Sequence, residues 1–187
     1  LSDPDVNRLT RKTEGWIAGL QIASLFLLNR KNKSEAILSF SGTHSHIMNY
    51  IVQEVIDCQS KSMRKFLLES SVLDVLSPEL CDAVTNRNDC AELLERLYSE
   101  NQFVILLDNQ NRQYRYHNLF SDALKSLLQR ENPESIRELY LRASDWYSEN
   151  DYLDEGIRYA FKGDDHCRAV YLIEQYASVA LDQGERT

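Results

Sequence analysis

The hydrophobic period of this chain changes once, and that change limits the folds open to it. Through most of the 187 residues, apolar side chains recur at three- and four-residue spacing. Residues 103–107 (FVILL) and 113–117 (QYRYH) are instead rich in β-branched and aromatic types, with the turn-forming run DNQNR between them. The pattern predicts a mainly α chain with one β-hairpin. With 6 glycines and 3 prolines the chain has too few breakers for a loop-rich β protein. Its 43% hydrophobic content is enough for one large domain or two to three small ones.

Around the hairpin the helical segments fall into order. Ser2 or Asp3 caps a first helix with Pro4 early in it, and Gly15 ends it near Glu14. A second helix runs from Trp16 to about Asn29, with Ile17, Leu20, Ala23, Ser24 and Leu27 on one face. RKNKS (30–34) reads as a charged connector, EAILSF as a short helix, and SGTHSH (41–46) as a loop and domain boundary. Helices are predicted over 46–59 (Ile47, Ile51 and Val55 on one stripe, Tyr50 beside it), over 60–74, and over 77–85 with Ser77 as N-cap. Asn88 opens a further helix with Cys90, Leu93, Leu94, Leu97 and Tyr98 at half-buried spacing. After the hairpin, Phe120, Ala123, Leu124, Leu127 and Leu128 line another. Helix, short helix, turn, helix, hairpin is the winged-helix arrangement.

Beyond Asn132 the texture is helical alone. Ile136, Leu139, Tyr140, Ala143 and Trp146 point inward from one helix; Leu153, Gly156, Ile157 and Ala160 mark a second. Ala169, Leu172, Ile173, Tyr176 and Ala177 mark a third. Short breaks and small residues at packing positions suggest α-solenoid repeats of the TPR-like kind.

Charge narrows the function. The chain carries a net charge of −8, with a pI near 5.0, which disfavours contact with phosphate backbones. The helix over 88–100 sits where a winged helix would read DNA. It carries Asp89, Glu92, Glu95 and Glu100 against Arg96, a net charge of −3. The module therefore reads as one that does not bind DNA itself. Cys58, Cys81, Cys90 and Cys167 lack zinc or CxxC spacing and read as reduced, mostly buried thiols of a cytoplasmic protein. GxxxxGK[ST], GxSxG and HExxH do not occur. His44 and His46 read as a solvated loop pair rather than a metal site, and Asp164 and Asp165 as turn residues. No catalytic residue and no metal ligand is assigned. The longest apolar run, IASLFLL (22–28), is too short to span a membrane. The first residue is Leu, and both ends read as cut from a longer protein.

Strand alternation makes one further distinction. Tyr114 and Tyr116 point to one face, Arg115 and His117 to the other. His117 then stands at a strand end just before a helix. A histidine there can donate to a phosphate or a carboxylate, or be satisfied by a local backbone group.

GWIAGLQIASL, FSGTHSHIMNYIVQEV, FLLESSVLDVLSPELCDAV, LLERLYSENQFVILLD and YRYHNLFSDALKSLL follow one another in order. Together they resemble the MalT-like group of STAND regulators, large ATP-dependent transcriptional activators that mostly end in a LuxR-type helix-turn-helix. The resemblance implies that residues 1–42 are the last helices of an NTPase lid, 43–130 a winged-helix domain, and 131–187 the start of a helical-repeat arm. It places a nucleotide-binding domain ahead of Leu1 and the DNA-binding domain after Thr187. In the STAND class a Met-His-Asp motif stands where Tyr116-His117-Asn118 stands here, and its histidine contacts the β-phosphate of ADP. That implies a nucleotide role for His117, with Asn118 replacing the acid and serving as N-cap. Gly15-Trp16-Ile17 occupies the place of a Gly-Leu-Pro-like turn whose proline packs on adenine. Ile17 takes the proline position, and Trp16 is either part of that site or core. ATP or ADP is implied for the full-length protein and no cofactor for this stretch alone. The implied partners are the upstream NTPase domain, a second copy in the active state, and a small-molecule or protein inducer on the repeats. DNA is reached only through the missing helix-turn-helix. The competing expectation is a stand-alone helical-repeat module for protein interaction.

Overall fold

The computed structural model describes residues 2–28, 32–40, 51–100 and 103–184. His44, His46, Ile47 and Tyr50 lie outside them.

The chain opens with α1 (Asp3–Thr13). The backbone N–H and hydroxyl of Ser2 both donate to the Asp5 carboxylate, at 3.3 and 2.8 Å, so the first turn is capped by its own side chains. Glu14 and Gly15 then take left-handed backbone (φ 53 and 72), which stops the helix and turns the chain into α2 (Ile17–Leu28). A Cβ on Gly19 would meet the Trp16 ring at 2.9 Å and a Leu119 methyl at 3.4 Å, so α2 sits close against both. Among the described side chains of α2, Gly19, Ala23, Phe26 and Leu27 are buried. The expected inward face is therefore corrected: Ile17 is 73% exposed and Ser24 is exposed. The sequence IAGLQIASLFLL is apolar on nearly every side, so spacing alone leaves its rotation undetermined. α3 (Lys33–Ser39) starts inside the stretch read as a connector, because the Asn32 side chain accepts the Glu35 N–H at 3.2 Å and caps it.

The winged-helix domain follows. Val52–Ile56 is a single π-helical turn in which Asp57 N–H donates to Val52 O at 2.8 Å. The five-residue step brings Ile51 and Ile56 inward together and leaves Val55 half-buried, contrary to the α-helical spacing expected. α4 (Lys61–Ser70) is shorter than the predicted 60–74. The Ser70 and Ser71 hydroxyls bond back to the carbonyls of Phe66 and Leu68 at its end, and the chain turns. α5 (Pro78–Thr85) is capped by Ser77 as expected. α6 (Cys90–Ser99) has Asp89, not Asn88, at its N-cap position; its first N–H is taken by Asp82 at 3.0 Å.

β1 (Val104–Asp108) and β2 (Gln113–Tyr116) pair antiparallel, Val104 opposite Tyr116 and Leu106 opposite Tyr114, with an irregularity between Leu106 and Asp108. Leu76 bridges to Tyr114 through two 2.8 Å hydrogen bonds, adding a short third partner to the wing. Tyr114 and Tyr116 are buried, as alternation requires. α7 (Asn118–Glu131) sends Phe120, Ala123, Leu124, Leu127 and Leu128 into the core.

Three more helices complete the described residues: α8 (Pro133–Glu149), α9 (Leu153–Lys162) and α10 (His166–Gly184). α8 and α9 cross closely at Gly156, whose carbonyl accepts from the Ser144 hydroxyl at 2.8 Å. A Cβ there would lie 3.3 Å from the Ser144 carbonyl oxygen. The inward set differs from the expected one. Tyr147 is buried where Trp146 was expected, fully buried Tyr159 is the main anchor of α9, and Ile173 and Ala177 of α10 are exposed. α10 buries Ala169 and Leu172. Cys58 and Cys167 are exposed, against the expectation of mostly buried thiols.

Candidate functional site

Two stretches a hundred residues apart meet at the exit of the wing. Glu14 comes from the left-handed turn after α1, and Arg115, His117 and Asn118 from β2 and the head of α7. Arg115 grips both Glu14 carboxylate oxygens, at 2.6 and 3.1 Å. The Asn118 backbone N–H donates to Glu14 Oε2 at 2.9 Å, so Glu14 caps α7 from a distant part of the chain. His117 Nδ1 lies 3.7 Å from the same oxygen, too far for a hydrogen bond, and is buried with no partner. His117 is the N-cap residue of α7 by position, and Asn118 is its first helical residue. The expected N-cap role of Asn118 is therefore corrected: its side chain follows the helix start rather than preceding it.

Beneath this polar layer lies an aromatic one. The Trp16 ring stacks on His117 (centroids 5.6 Å apart, planes 12° apart) and meets Phe103 and Phe120 edge-on. Phe103 and Phe120 stack at 4.4 Å. Phe103 takes left-handed backbone (φ 65), unusual for an aromatic residue, and its carbonyl accepts the His117 N–H at 2.8 Å.

The structure thus joins three of the four residues singled out from sequence. Trp16, His117 and Asn118 are brought together, with Trp16 in the core. Ile17 is left out, its side chain in solvent. Sequence reasoning missed Glu14. A lone acid at a helix end carries no periodic signal, and only the face assigned to Arg115 and His117 hinted that a counter-charge was needed.

Burial pushes the Glu14 carboxyl up, but the Arg115 guanidinium and the Asn118 N–H outweigh it and hold it below its ordinary value. Burial likewise lowers the His117 imidazole; Glu14 opposes that and Arg115 adds to it. Asp74, beside Lys162, is also held low, the lysine outweighing the desolvation its neighbours impose. In each case the unfolded chain binds more protons than the folded one, so stability falls on acidification. The thermal midpoint should hold above about pH 7. It should slip as pH falls past the ordinary histidine value of 6.5, and drop more steeply below the ordinary carboxyl values of 4.5 and 3.8 for Glu14 and Asp74. Replacing His117 with glutamine should remove the first phase alone. A midpoint that rises between pH 7 and 6 would contradict this account.

Among the described residues, one cluster brings three metal-ligating groups together: Asp82, Asp89 and Cys90. Its members have structural work. Asp82 accepts the Cys90 N–H, Asp89 is held by Arg87 Nε and Nη2 at 2.7 Å each, and burial pushes the Cys90 thiol up to about 12. No helix of the described residues is long and apolar enough to cross a membrane.

The phosphate contact that the resemblance implies for His117 can be set against this geometry. A guanidinium, an imidazole and a helix-head N–H form a donor set that suits a phosphate. The Glu14 carboxylate already occupies two of those donors, the guanidinium and the N–H.

Comparison with known proteins agrees with the architecture. Residues 52–136 match the MalT winged helix domain family. The serine/threonine-protein kinase PknK of Mycobacterium tuberculosis (strain ATCC 25618 / H37Rv) is 31% identical over 183 residues, covering 98% of this chain and 16% of the kinase. The HTH-type transcriptional regulator MalT of Vibrio parahaemolyticus is 29% identical over 184 residues, 96% of this chain and 20% of that protein. MalT of Vibrio cholerae is 29% identical over 181 residues, again 96% and 20%. The chain spans a fifth or less of the length of these relatives.

Proposed function

Given that this chain is a MalT-like regulator sequence with a MalT winged helix domain at its centre, we propose that it relays nucleotide state within an ATP-dependent transcriptional regulator. Residues 1–42 act as the end of an NTPase lid, 43–130 as the winged helix, and 131–187 as the first TPR-like helices of a sensing arm. The observation that carries this reading is the joint at Glu14. One carboxylate ties the turn after α1 to Arg115 and to the head of α7, beside His117. A change at the lid therefore reaches the winged helix through His117 and its neighbours, and the arm through α7 and α8.

The chain performs no catalytic step in this reading. Bound in the preceding domain, the nucleotide supplies phosphate charge. His117 meets that charge with its ring, while Trp16 holds the ring plane by stacking on it. Ile17 offers an exposed apolar side chain beside the turn. Exchange of ADP for ATP, together with a small-molecule or protein inducer on the arm, releases the winged helix from its nucleotide contact at His117 and permits self-association. The stretch 88–100 around α6, with its net charge of −3, faces protein rather than DNA, and DNA is bound by a separate C-terminal helix-turn-helix. The protein works in the cytoplasm.

The test uses the full-length protein. His117→Ala should shorten ADP retention and raise basal transcriptional activation. Retention and activation both equal to wild type would sink the reading.

A further inference from the structure

The anion at the head of α7 belongs to the chain itself. Three donors converge on one point: the forked Arg115 guanidinium, the Asn118 N–H that opens a fourteen-residue helix, and the His117 ring, whose buried Nδ1 has no hydrogen-bond partner. All three carry full or partial positive charge or can gain it, and the helix dipole adds to them. The group they surround is a carboxylate that reaches them from more than a hundred residues away in sequence.

We propose that Glu14 is an internal stand-in for phosphate: its carboxylate fills an anion site built from Arg115, His117 and the head of α7, and a phosphate group and Glu14 exclude one another there. The proposal rests on the relay reading insofar as the phosphate belongs to a nucleotide. It goes beyond that reading by making Glu14 the competitor and Arg115 the group that changes partners. A phosphate carries more charge than a carboxylate and has oxygens enough for all three donors, including the Nδ1 that Glu14 leaves unbonded. Glu14 stays ionised through the neutral range, since its carboxyl is held low, so another anion rather than a proton displaces it. When it leaves, the turn at Glu14 and Gly15 loses its tie to the wing. Phosphate binding and release of α1 from the winged helix become one event.

The probe is pyrophosphate, a diphosphate without base or sugar, titrated into the full 187-residue chain at fixed ionic strength. Calorimetry gives the affinity, and fluorescence in a Trp146→Phe background reports on Trp16, the other of the two tryptophans. Wild type should bind weakly. Glu14→Gln should bind about tenfold tighter, the order expected for losing a charge-assisted competitor. Glu14→Asp, one methylene shorter with its charge kept, should fall between them and covers the case in which Glu14→Gln folds poorly. Adding Arg115→Met to Glu14→Gln should remove the gain. Glu92→Gln changes net charge equally on the exposed face of α6 and should leave affinity unchanged. Glu14→Gln and Glu14→Asp binding no more tightly than wild type, or Glu92→Gln giving the same gain, would overturn the proposal. A gain confined to the Glu14 variants, with ADP retention in the full-length protein untouched by His117→Ala, would leave this anion site standing and remove the nucleotide relay.

Discussion

Phe120→Ala should lower the stability of the chain by about 3–5 kcal/mol, the usual range for deleting a buried aromatic ring. Phe120 has no exposed surface. Its ring stacks on Phe103 and meets Trp16 and Tyr116 edge-on at 6.2 and 5.6 Å. One side chain therefore touches the turn before α2, the start of β1, the end of β2 and its own helix. Those pieces come from different parts of the sequence, so they cannot all collapse into the space left behind. The damage should spread to the site. Phe103 keeps its left-handed backbone while its ring is clamped, and Trp16 keeps its place over His117 while Phe120 supports the other edge. Urea titration followed by tryptophan fluorescence checks both points. Phe120→Leu, which refills most of the volume, should cost about 1–2 kcal/mol. A loss below about 1 kcal/mol for the alanine variant would mean that this ring does not hold the joint.

The second large effect lies where α9 meets the winged helix. Tyr159 of α9 is fully buried, stacks on Tyr147 at 5.3 Å, and accepts the Asp74 N–H through its hydroxyl at 2.9 Å. The Asp74 carboxylate in turn gathers Lys162 at 2.8 Å, Lys125 at 3.8 Å and Arg158 at 3.9 Å. Lys162 also sits 4.5 Å above the Tyr159 ring centre. The exposed ion pairs contribute little each; the ring and its hydrogen bond carry the fastening. Tyr159→Ala should cost about 3–5 kcal/mol. Tyr159→Phe leaves a backbone N–H without its partner and should cost about 1–3 kcal/mol. Hydrogen exchange separates a local from a global effect. Protection should fall first in α9 and α10 while α4, α5 and α7 keep theirs. Uniform loss across all of them would show that the arm and the winged helix unfold as one unit, and that Tyr159 is core rather than fastener.

Much of this architecture follows from local pattern. Helix spacing in α7 and, exposed Tyr98 apart, in α6 marks their buried faces, and Ser77 followed by Pro78 marks where α5 starts. The hairpin shows in the change of period, and alternation along β2 and its exit puts Tyr114 and Tyr116 inward and Arg115 with His117 on the opposite face. These features are set by neighbours within about four residues, a range that sequence spacing reports directly. Local pattern faltered where the backbone left its regular period. The π-helical turn at Val52–Ile56 shifted which residue of the stripe is buried. The all-round apolar sequence of α2 let packing at Gly19 choose the face, and so put Ile17 in solvent.

What the sequence determined by itself, then, is a helical chain with a single wing, an acidic α6 and a histidine at the wing's exit. Tertiary structure alone decided what that histidine faces. Glu14 meets Arg115 and Asn118 across 101 and 104 residues, and Tyr159 meets Asp74 across 85. No periodicity links such pairs. They are selected by the summed burial of the elements that carry them, and a single carboxylate or hydroxyl finds its partner only after those elements have packed.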